Sequence, residues 1–253
     1  MRMINVLICG ALGKMGANIL ELLKNEEDIC AVCGVDVKDA NIGDLPVYSS
    51  FKNVDKKVDV IIDFSSPKII KDELEFAINC GCPVVLATTG YSAEDLVLIE
   101  DATKKIAVFR TANFSLGVNL LVKLVKEATS FLGENFDIEI IEKHHSQKVD
   151  APSGTALMLA DGANQTLGGS KEYLYGREGA CGKRGKEIAM HAVRGGTIVG
   201  EHDVLFCGED EIITLSHSAR SKKVFASGAI KAAKWVANKP AGKYDMNDIL
   251  QIK

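Results

Sequence analysis

Near its start the chain carries the segment Ile4-Asn5-Val6-Leu7-Ile8-Cys9-Gly10-Ala11-Leu12-Gly13-Lys14-Met15-Gly16. The run up to Cys9 is mainly β-branched and apolar, and it predicts a buried β-strand. Apolar residues then recur at helical spacing from Ile19 to Leu23, so the glycines lie in a turn between a strand and a helix. Backbone N–H groups at the start of such a helix point at a bound anion, and a Cβ in the turn would hold the backbone away from phosphates. The pattern therefore predicts a dinucleotide-binding turn.

An acidic residue follows the glycine turn at the distance expected for a dinucleotide site. Asp36 ends the next predicted strand, residues 29–36, about 20 residues after the last glycine, where its carboxylate can accept hydrogen bonds from an adenosine ribose. Asp36 would repel a 2′-phosphate, and Lys38 would attract one, so we expect NADH to be accepted at least as well as NADPH. The alternative is that the glycines only turn the chain and that both charges are solvated.

Strand-like and helix-like patterns alternate through the first part of the chain. Such alternation predicts an α/β fold with a parallel sheet. The predicted strands are residues 4–9, 29–36, 58–64, 83–88 and 106–111.

The pattern changes after residue 114. A helix-like stretch over residues 116–131 is followed by strand patterns separated by glycine turns, which favours an antiparallel or mixed sheet in a second domain. The last helix, about residues 224–238, could pack on either domain, since chain order alone does not decide this. The strand patterns of the second domain are residues 137–142, 187–194, 203–206 and 211–217.

Composition excludes several classes of function. The chain has 30 Lys and Arg against 34 Asp and Glu, a net charge of −4, so nucleic acid is not an expected partner. The apolar runs are far shorter than the roughly 20 residues that span a bilayer, so no membrane partner is expected. Because the first residues form a strand pattern instead of a secretion signal, we expect a cytoplasmic protein with reduced thiols.

The sequence predicts no metal site. Cys30-x-x-Cys33 resembles half of a zinc site, but Cys80-x-Cys82 has the wrong spacing to complete it. His144 and His145 are adjacent in a strand pattern, so their side chains point to opposite faces and cannot share an ion.

Three further segments follow predicted parallel strands, at the edge of the sheet where ligands bind in such folds. Each is rich in small or hydrogen-bonding residues, which suit a loop beside a cofactor, although the same residues dominate ordinary turns. These segments are Asp63-Phe64-Ser65, Ala87-Thr88-Thr89-Gly90 and Thr111-Ala112-Asn113-Phe114-Ser115.

The densest chemistry lies in Glu142-Lys143-His144-His145-Ser146-Gln147-Lys148-Val149-Asp150-Ala151-Pro152-Ser153-Gly154-Thr155-Ala156. His144 and Lys148 are candidate proton donors for a reduction, and the helix start at Pro152 and Ser153 suits a carboxylate ligand. From spacing alone, a histidine pair at a strand end, a solvated lysine and a plain helix cap are together the favoured explanation of the segment.

This segment resembles the signature of the 4-hydroxy-tetrahydrodipicolinate reductase (dihydrodipicolinate reductase) family of the diaminopimelate route to lysine. The resemblance extends over essentially the whole chain, because further blocks agree in order. They are residues 10–16, Asp63-Phe64-Ser65, Ala87-Thr88-Thr89-Gly90, Ala112-Asn113-Phe114-Ser115 and Arg194-Gly195-Gly196-x-x-Val199-Gly200-Glu201-His202.

The resemblance implies a Rossmann-type dinucleotide-binding domain, residues 1–114 and 221–253, with an inserted α+β domain of mixed sheet, residues 115–220. The inserted domain would bind substrate and form a homotetramer. The implied activity is reduction of a small cyclic dicarboxylate by NADH or NADPH, with hydride transfer to C4 and loss of the 4-hydroxyl as water.

The resemblance also implies roles for individual residues. His144 would be the acid/base residue and Lys148 the proton donor, while His145, Ser153, Gly154 and Thr155 would bind substrate. The implied cofactor residues are Gly10, Ala11, Leu12, Gly13, Lys14, Met15, Asp36, Ala87, Thr88, Thr89, Thr111, Ala112, Asn113 and Phe114.

The sequence departs from the family pattern at two places that bear on the cofactor. Val37 and Ser66 stand where some members carry a basic residue, so a strong preference for NADPH is not expected. Two other functions remain open, an aspartate dehydrogenase-like oxidoreductase and a non-catalytic NAD(H) sensor. Lys148 close to His144 favours an enzyme over a sensor.

Overall fold

The chain forms two units in the computed structural model, which describes residues 2–251. The first unit runs up to Ser115 and resumes at Lys223, and the second is Leu116–Lys222. Within the described range, no helix combines the length and the apolar character needed to cross a bilayer.

The strands are β1 (Ile4–Cys9), β2 (Ile29–Val35), β3 (Ala40–Ile42), β4 (Leu45–Tyr48), β5 (Val60–Asp63), β6 (Val84–Leu86), β7 (Ala107–Arg110), β8 (Asp137–His144), β9 (Tyr173–Tyr175), β10 (Ile188–Arg194), β11 (Gly200–Cys207), β12 (Ile212–Ala219) and β13 (Gly242–Tyr244). The α-helices are α1 (Lys14–Leu23), α2 (Ile70–Cys80), α3 (Ala93–Ala102), α4 (Leu116–Leu132), α5 (Gly154–Thr166), α6 (Lys223–Val236) and α7 (Met246–Leu250).

The first unit contains an eight-stranded sheet in the order β13-β7-β6-β5-β1-β2-β4-β3. All neighbouring strands run parallel except β3, which is antiparallel to β4. The parallel α/β sheet predicted from the alternating pattern is therefore confirmed. Strands β3, β4 and β13 have only three or four residues, too few to produce a recognisable periodic pattern.

Helix α6 packs in the first unit, against α1 and strands β5, β6 and β7. Its buried face consists largely of alanine and glycine, which lets the helix approach closely. At Gly228, a Cβ would lie 1.7 Å from the carbonyl oxygen of Phe114. The small side chains thus decide the placement that chain order left open.

The second unit contains a five-stranded mixed sheet in the order β12-β11-β8-β10-β9. Strand β8 pairs antiparallel with β11 and parallel with β10, as the prediction of a mixed sheet requires. Alternate residues of β8 are buried, beginning with Ile138 and Ile140 in the core that α4 and α5 cover. The next residues of β8 on the same face are Glu142 and His144, so the apolar core ends in a row of polar side chains.

Candidate active site

The predicted cofactor residues of the first unit lie at one edge of its sheet. Strands β1, β5, β6 and β7 are parallel neighbours, and Cys9, Asp63, Leu86 and Arg110 occupy matching positions at their ends. The glycine turn and the three loop segments singled out in the sequence leave the sheet immediately after these positions. The topology therefore brings together segments that are far apart in the sequence.

The glycine turn has no room for side chains at two of its positions. Gly10 has a φ of +77°, and a Cβ on it would lie 2.6 Å from the carbonyl oxygen of Phe64. A Cβ on Gly16 would lie 2.4 Å from the carbonyl oxygen of Gly10. Helix α1 follows with Gly13 as its N-cap, and no side chain caps the helix. Its first N–H groups therefore remain available to an anion such as a diphosphate.

The Asp36 carboxylate lies beside this turn. It accepts hydrogen bonds of 2.8 Å from the backbone N–H of Leu12 and of Val37. A cleft of about 670 Å³ runs along it, lined by Gly10, Gly13 and Asp36 together with Lys38, Ser49, Ser50 and Ser65 among others. A glycine cradle, an uncapped helix start and a carboxylate in one cleft fit a dinucleotide.

Some side chains of the remaining predicted cofactor loops are held in place by hydrogen bonds or by packing within the protein. Thr88 is buried, and its Oγ1 accepts a hydrogen bond of 2.9 Å from the backbone N–H of Ser65. The Asn113 side chain accepts a hydrogen bond of 2.8 Å from the backbone N–H of Ser115. Phe114 is buried against Phe64 and Phe109. The exposed positions of these loops are Thr89, Gly90 and Ala112, with Ala87, Thr111 and Asn113 half-buried.

In the second unit, Glu142 is the centre of a buried hydrogen-bond network. Its side chain is fully buried and accepts hydrogen bonds of 2.7 Å from both terminal nitrogens of Arg194 on β10. The carboxylate also lies 2.5 Å from Nδ1 of His144 and 3.0 Å from the backbone nitrogen of Ser153. Although burial raises the pKa of Glu142, the bonds from Arg194, His144 and Ser153 outweigh it and hold the pKa below its ordinary value.

This network defines the tautomer of His144. A carboxylate can only accept, so Nδ1 of His144 carries the proton that it donates to Glu142. Nε2 is then the atom left for other chemistry, and it faces Gly200, where a Cβ would lie only 3.0 Å from it. His144 is mostly buried, with 9% of its surface exposed. The arrangement suits a histidine that transfers a proton or stabilises a negative charge through Nε2.

His202 lies next to His144, with the two rings edge to face and their centroids 5.1 Å apart. Its Nε2 is hydrogen-bonded to the hydroxyl of Ser153 at 3.0 Å. Burial, and then the proximity of His144, lower the pKa of His202 to about 4, so it is neutral near pH 7.

The hydroxyl of Ser153 also caps α5, accepting a hydrogen bond of 3.2 Å from the backbone N–H of Ala156. The Ser153 side chain is therefore engaged within the protein. Gly154 and Thr155 are the first residues of α5, and Gly154 is exposed. The network from Glu142 to Ser153 thus fixes the predicted anion-binding helix end relative to His144.

Lys148 and His145 lie on the loop that follows β8. The Lys148 ammonium pairs with Asp150, with Nζ 2.7 and 2.8 Å from the two carboxylate oxygens. This pairing lowers the pKa of Asp150. Arg194 donates a hydrogen bond of 2.6 Å to the backbone carbonyl of Asp150, which ties this loop to the Glu142 network. His145 is half-buried just beyond the end of the strand.

Sequence reasoning assigned no role to Glu142, Arg194, His202 or Asp150. Glu142 carried a usable signal, since it lies two positions before His144 in a strand pattern and therefore on the same face. Arg194 and His202 bound the last block of the family resemblance, but local patterns gave no sign of their contacts, because Arg194 meets Glu142 and His202 meets Ser153 across 52 and 49 positions of the chain.

Comparisons with known proteins agree along the whole chain. The family model described as "Dihydrodipicolinate reductase, N-terminus" matches residues 4–114, and "Dihydrodipicolinate reductase, C-terminus" matches residues 117–250. The chain belongs to the dihydrodipicolinate reductase family. The 4-hydroxy-tetrahydrodipicolinate reductase of Caldanaerobacter subterraneus is 51% identical over 98% of this chain and 99% of the relative. That of Methanosarcina mazei is 43% identical over 99% of this chain and 100% of the relative.

A solved dihydrodipicolinate reductase has a similar structure. The dipicolinate-bound enzyme from Paenisporosarcina sp. superposes with a TM-score of 0.80 at 28% identity, covering 98% of this chain and 99% of that chain. A myo-inositol dehydrogenase from Corynebacterium glutamicum, 14% identical with a TM-score of 0.59 over 95% of this chain and 90% of its own, shares the fold alone. The Rossmann-type fold with a second mixed-sheet unit, predicted from the sequence, is confirmed.

Proposed function

We propose that this chain is an enzyme that reduces 4-hydroxy-tetrahydrodipicolinate to tetrahydrodipicolinate with NADH or NADPH, in the diaminopimelate route to lysine. The observation that carries the proposal is the network in which Glu142 holds His144 next to the start of α5. A protein that only senses NAD(H) has no need of a buried, oriented histidine. Relatives of this name that match nearly the full chain support the same reaction.

The cofactor would be held by residues of the first unit. Residues 10–15 would bind the diphosphate, and Asp36 would accept hydrogen bonds from the adenosine ribose. Ala87, Thr88, Thr89, Thr111, Ala112, Asn113 and Phe114 would line the nicotinamide half. Reduced nicotinamide dinucleotide, when bound, supplies the hydride.

The substrate would be held by residues of the second unit. Gly154 and Thr155 would bind one substrate carboxylate at the start of α5, where the positive end of the helix dipole favours an anion. His145 would contact the substrate from the neighbouring loop. Ser153 would contribute by keeping the helix end in place, since its own hydroxyl bonds His202 and caps the helix.

Proton supply would come from Lys148, with His144 assisting by stabilising charge. The net reaction consumes one proton, because the 4-hydroxyl leaves as water while a hydride is added at C4. The Lys148 ammonium, held in its pair with Asp150, would supply the proton that completes the reduction begun by the hydride. Nε2 of His144, the nitrogen not engaged by Glu142, would face the charge that develops on the substrate.

We further propose that NADH serves at least as well as NADPH. Asp36 would bind the unmodified ribose and repel a 2′-phosphate, while Lys38, which lines the same cleft, would offset part of that repulsion. Val37 is 91% exposed and adds no positive charge at this position.

The protein would act as a cytoplasmic homotetramer assembled through the second unit. Val193 and Ile212 are exposed, 46% and 63%, on the sheet face turned away from α4 and α5, where copies of the chain would meet. Light scattering of the purified protein tests this, and a monomer at micromolar concentration contradicts it.

The activity is tested with purified protein, NADH or NADPH, and substrate generated from pyruvate and aspartate semialdehyde by the preceding synthase. Nicotinamide absorbance should fall only when every component is present. Lys148→Ala should lower kcat by about a hundredfold, because general acid catalysis contributes on that order. Lys143→Ala is the matched control, since Lys143 is also ion-paired near the same strand end. Protein that binds NADH but oxidises neither cofactor would contradict the proposal.

A further inference from the structure

A buried acidic cluster in the first unit has no role in the proposed reaction. Cys9 of β1, Asp63 of β5 and Glu73 of α2 each place one ligand-type atom within 4.8 Å of the others. All three side chains are buried, with 0 or 1% of their surface exposed. The cluster lies below the edge of the sheet where the glycine turn and the Phe64 loop leave β1 and β5.

Asp63 organises the loops of the cofactor site. Its Oδ1 accepts hydrogen bonds from the backbone N–H of Ser65 at 2.9 Å and from the Ser65 hydroxyl at 2.5 Å. Its Oδ2 accepts a hydrogen bond of 3.2 Å from the hydroxyl of Tyr91. Ser65 lines the proposed cofactor cleft, and its N–H also bonds Thr88. One carboxylate thus ties the loop after β5 to the loop after β6.

Unlike Asp63, Glu73 lies in apolar surroundings. It is fully buried, and within residues 2–251 neither of its carboxyl oxygens has a hydrogen-bond partner. Its helix neighbours Ile70, Leu74 and Ala77 belong to the apolar core. Leaving an ionised carboxylate there would cost far more than leaving a neutral acid.

The hydrogen bonds decide which carboxyl group is ionised. Two buried carboxylates at this distance cannot both keep a charge without a cation beside them. Asp63 has three donors that stabilise its charge, whereas Glu73 has none. Cys9 and Tyr91, two further titratable groups that face the cluster, have pKa values raised by burial and by the two acids, so both stay neutral. Burial and the charge of Asp63 likewise raise the pKa of Glu73 well above its ordinary value.

We propose that Glu73 is a positioning residue of the cofactor site, a neutral carboxylic acid that donates a hydrogen bond to Asp63 and so keeps the charge on the carboxylate that holds Ser65. The two carboxyl groups each place an oxygen within 4.8 Å of the other, so the proposed hydrogen bond requires the Glu73 side chain to lie closer to Asp63 than it does in this structure. The effect on cofactor binding rests on the proposed function, whereas the protonation state does not.

Three full-length variants test this proposal. Glu73→Gln keeps a donor toward Asp63, Glu73→Leu removes it and fills similar space, and Glu75→Gln, an exposed glutamate of the same helix, is the control. NADH affinity is measured by fluorescence titration, thermal stability by calorimetry, and the protonated carboxyl group by its infrared carbonyl band at about pH 8, where ordinary carboxyl groups are ionised.

The wild type should show the protonated-carboxyl band, and both Glu73 variants should lose it. Glu73→Leu should weaken NADH binding about tenfold, the typical effect of losing a buried hydrogen bond, without lowering the melting temperature. Glu73→Gln should weaken it less than Glu73→Leu, and Glu75→Gln should bind as the wild type does. A purely structural residue would lower stability and affinity together.

Other results overturn the proposal. The absence of the band at about pH 8, or wild-type NADH affinity in Glu73→Leu, would show that Glu73 is not a neutral positioning acid. A stoichiometric metal ion found by mass spectrometry of the purified protein, and lost in Glu73→Gln, would make the cluster a cation site instead. Failure of the reductase assay would leave the band and the NADH titration unaffected, so the two proposals fail separately.

Discussion

The Glu142 carboxylate lies 2.5 Å from Nδ1 of His144 while it is clamped by both terminal nitrogens of Arg194. Glu142 therefore connects two strands and the start of α5 and also determines which nitrogen of His144 carries the proton. A carboxylate that accepts a hydrogen bond from one ring nitrogen of a histidine fixes its tautomer and restricts its ring to one position.

Glu142→Gln should lower kcat at least about tenfold, because the amide no longer fixes the tautomer and ring orientation of His144 as the carboxylate does. It should also lower the free energy of unfolding by about 3 kcal/mol, since Arg194 would keep a charge that is no longer paired. Steady-state kinetics and urea unfolding measure the two effects. Glu201→Gln removes a partly exposed ion pair with Lys143 and should change neither quantity appreciably.

Asp36→Asn should weaken NADH binding about tenfold, the typical effect of losing charge-assisted hydrogen bonds to a ribose. NADPH binding should weaken less, because the same change removes a charge that repels the 2′-phosphate. The ratio of kcat/KM for the two cofactors measures this selectivity. Asp44→Asn, an exposed residue between β3 and β4, is the control. Equal losses for both cofactors would place the adenosine ribose away from Asp36.

The low pKa of His202 makes the protein less stable in mild acid. The unfolded chain binds a proton at this histidine near its ordinary pKa of 6.5, whereas the folded protein binds it only near 4. The free energy of unfolding should therefore fall by about 3 kcal/mol as the pH is lowered from about 6.5 to about 4. His202→Asn should reduce this part of the pH dependence, measured by urea unfolding at each pH. An unchanged pH dependence would mean that His202 is protonated in the folded state.

Gly228→Ala should lower the free energy of unfolding by at least about 2 kcal/mol, because the added methyl group would lie 1.7 Å from the Phe114 carbonyl and force α6 away. Gly195→Ala is the control, since a Cβ there has no neighbour within 4 Å, and its effect should stay within about 0.5 kcal/mol. Thermal unfolding compares the two variants. Similar stability for both would mean that α6 can shift without cost.

Local patterns explain how much of the fold could be predicted. The strand, glycine turn and helix at the start depend on neighbouring residues, and β1 has the predicted bounds, Ile4–Cys9. Strand β2 ends one residue before the predicted end, at Val35, so that Asp36 follows it directly. Short strands such as β9, with three residues, cannot be predicted from periodicity because they contain less than two full periods of side-chain alternation.

The sequence by itself determined the parallel α/β class, the glycine turn with Asp36 and the segment that carries His144 and Lys148, since each is a pattern of near neighbours. Tertiary structure alone decided that Arg194 meets Glu142, 52 residues away, and that His202 meets Ser153. It also decided that Glu73 lies beside Asp63 without a hydrogen-bond partner. These contacts depend on strand register and on the packing of helices against sheets, which local periodicity does not encode.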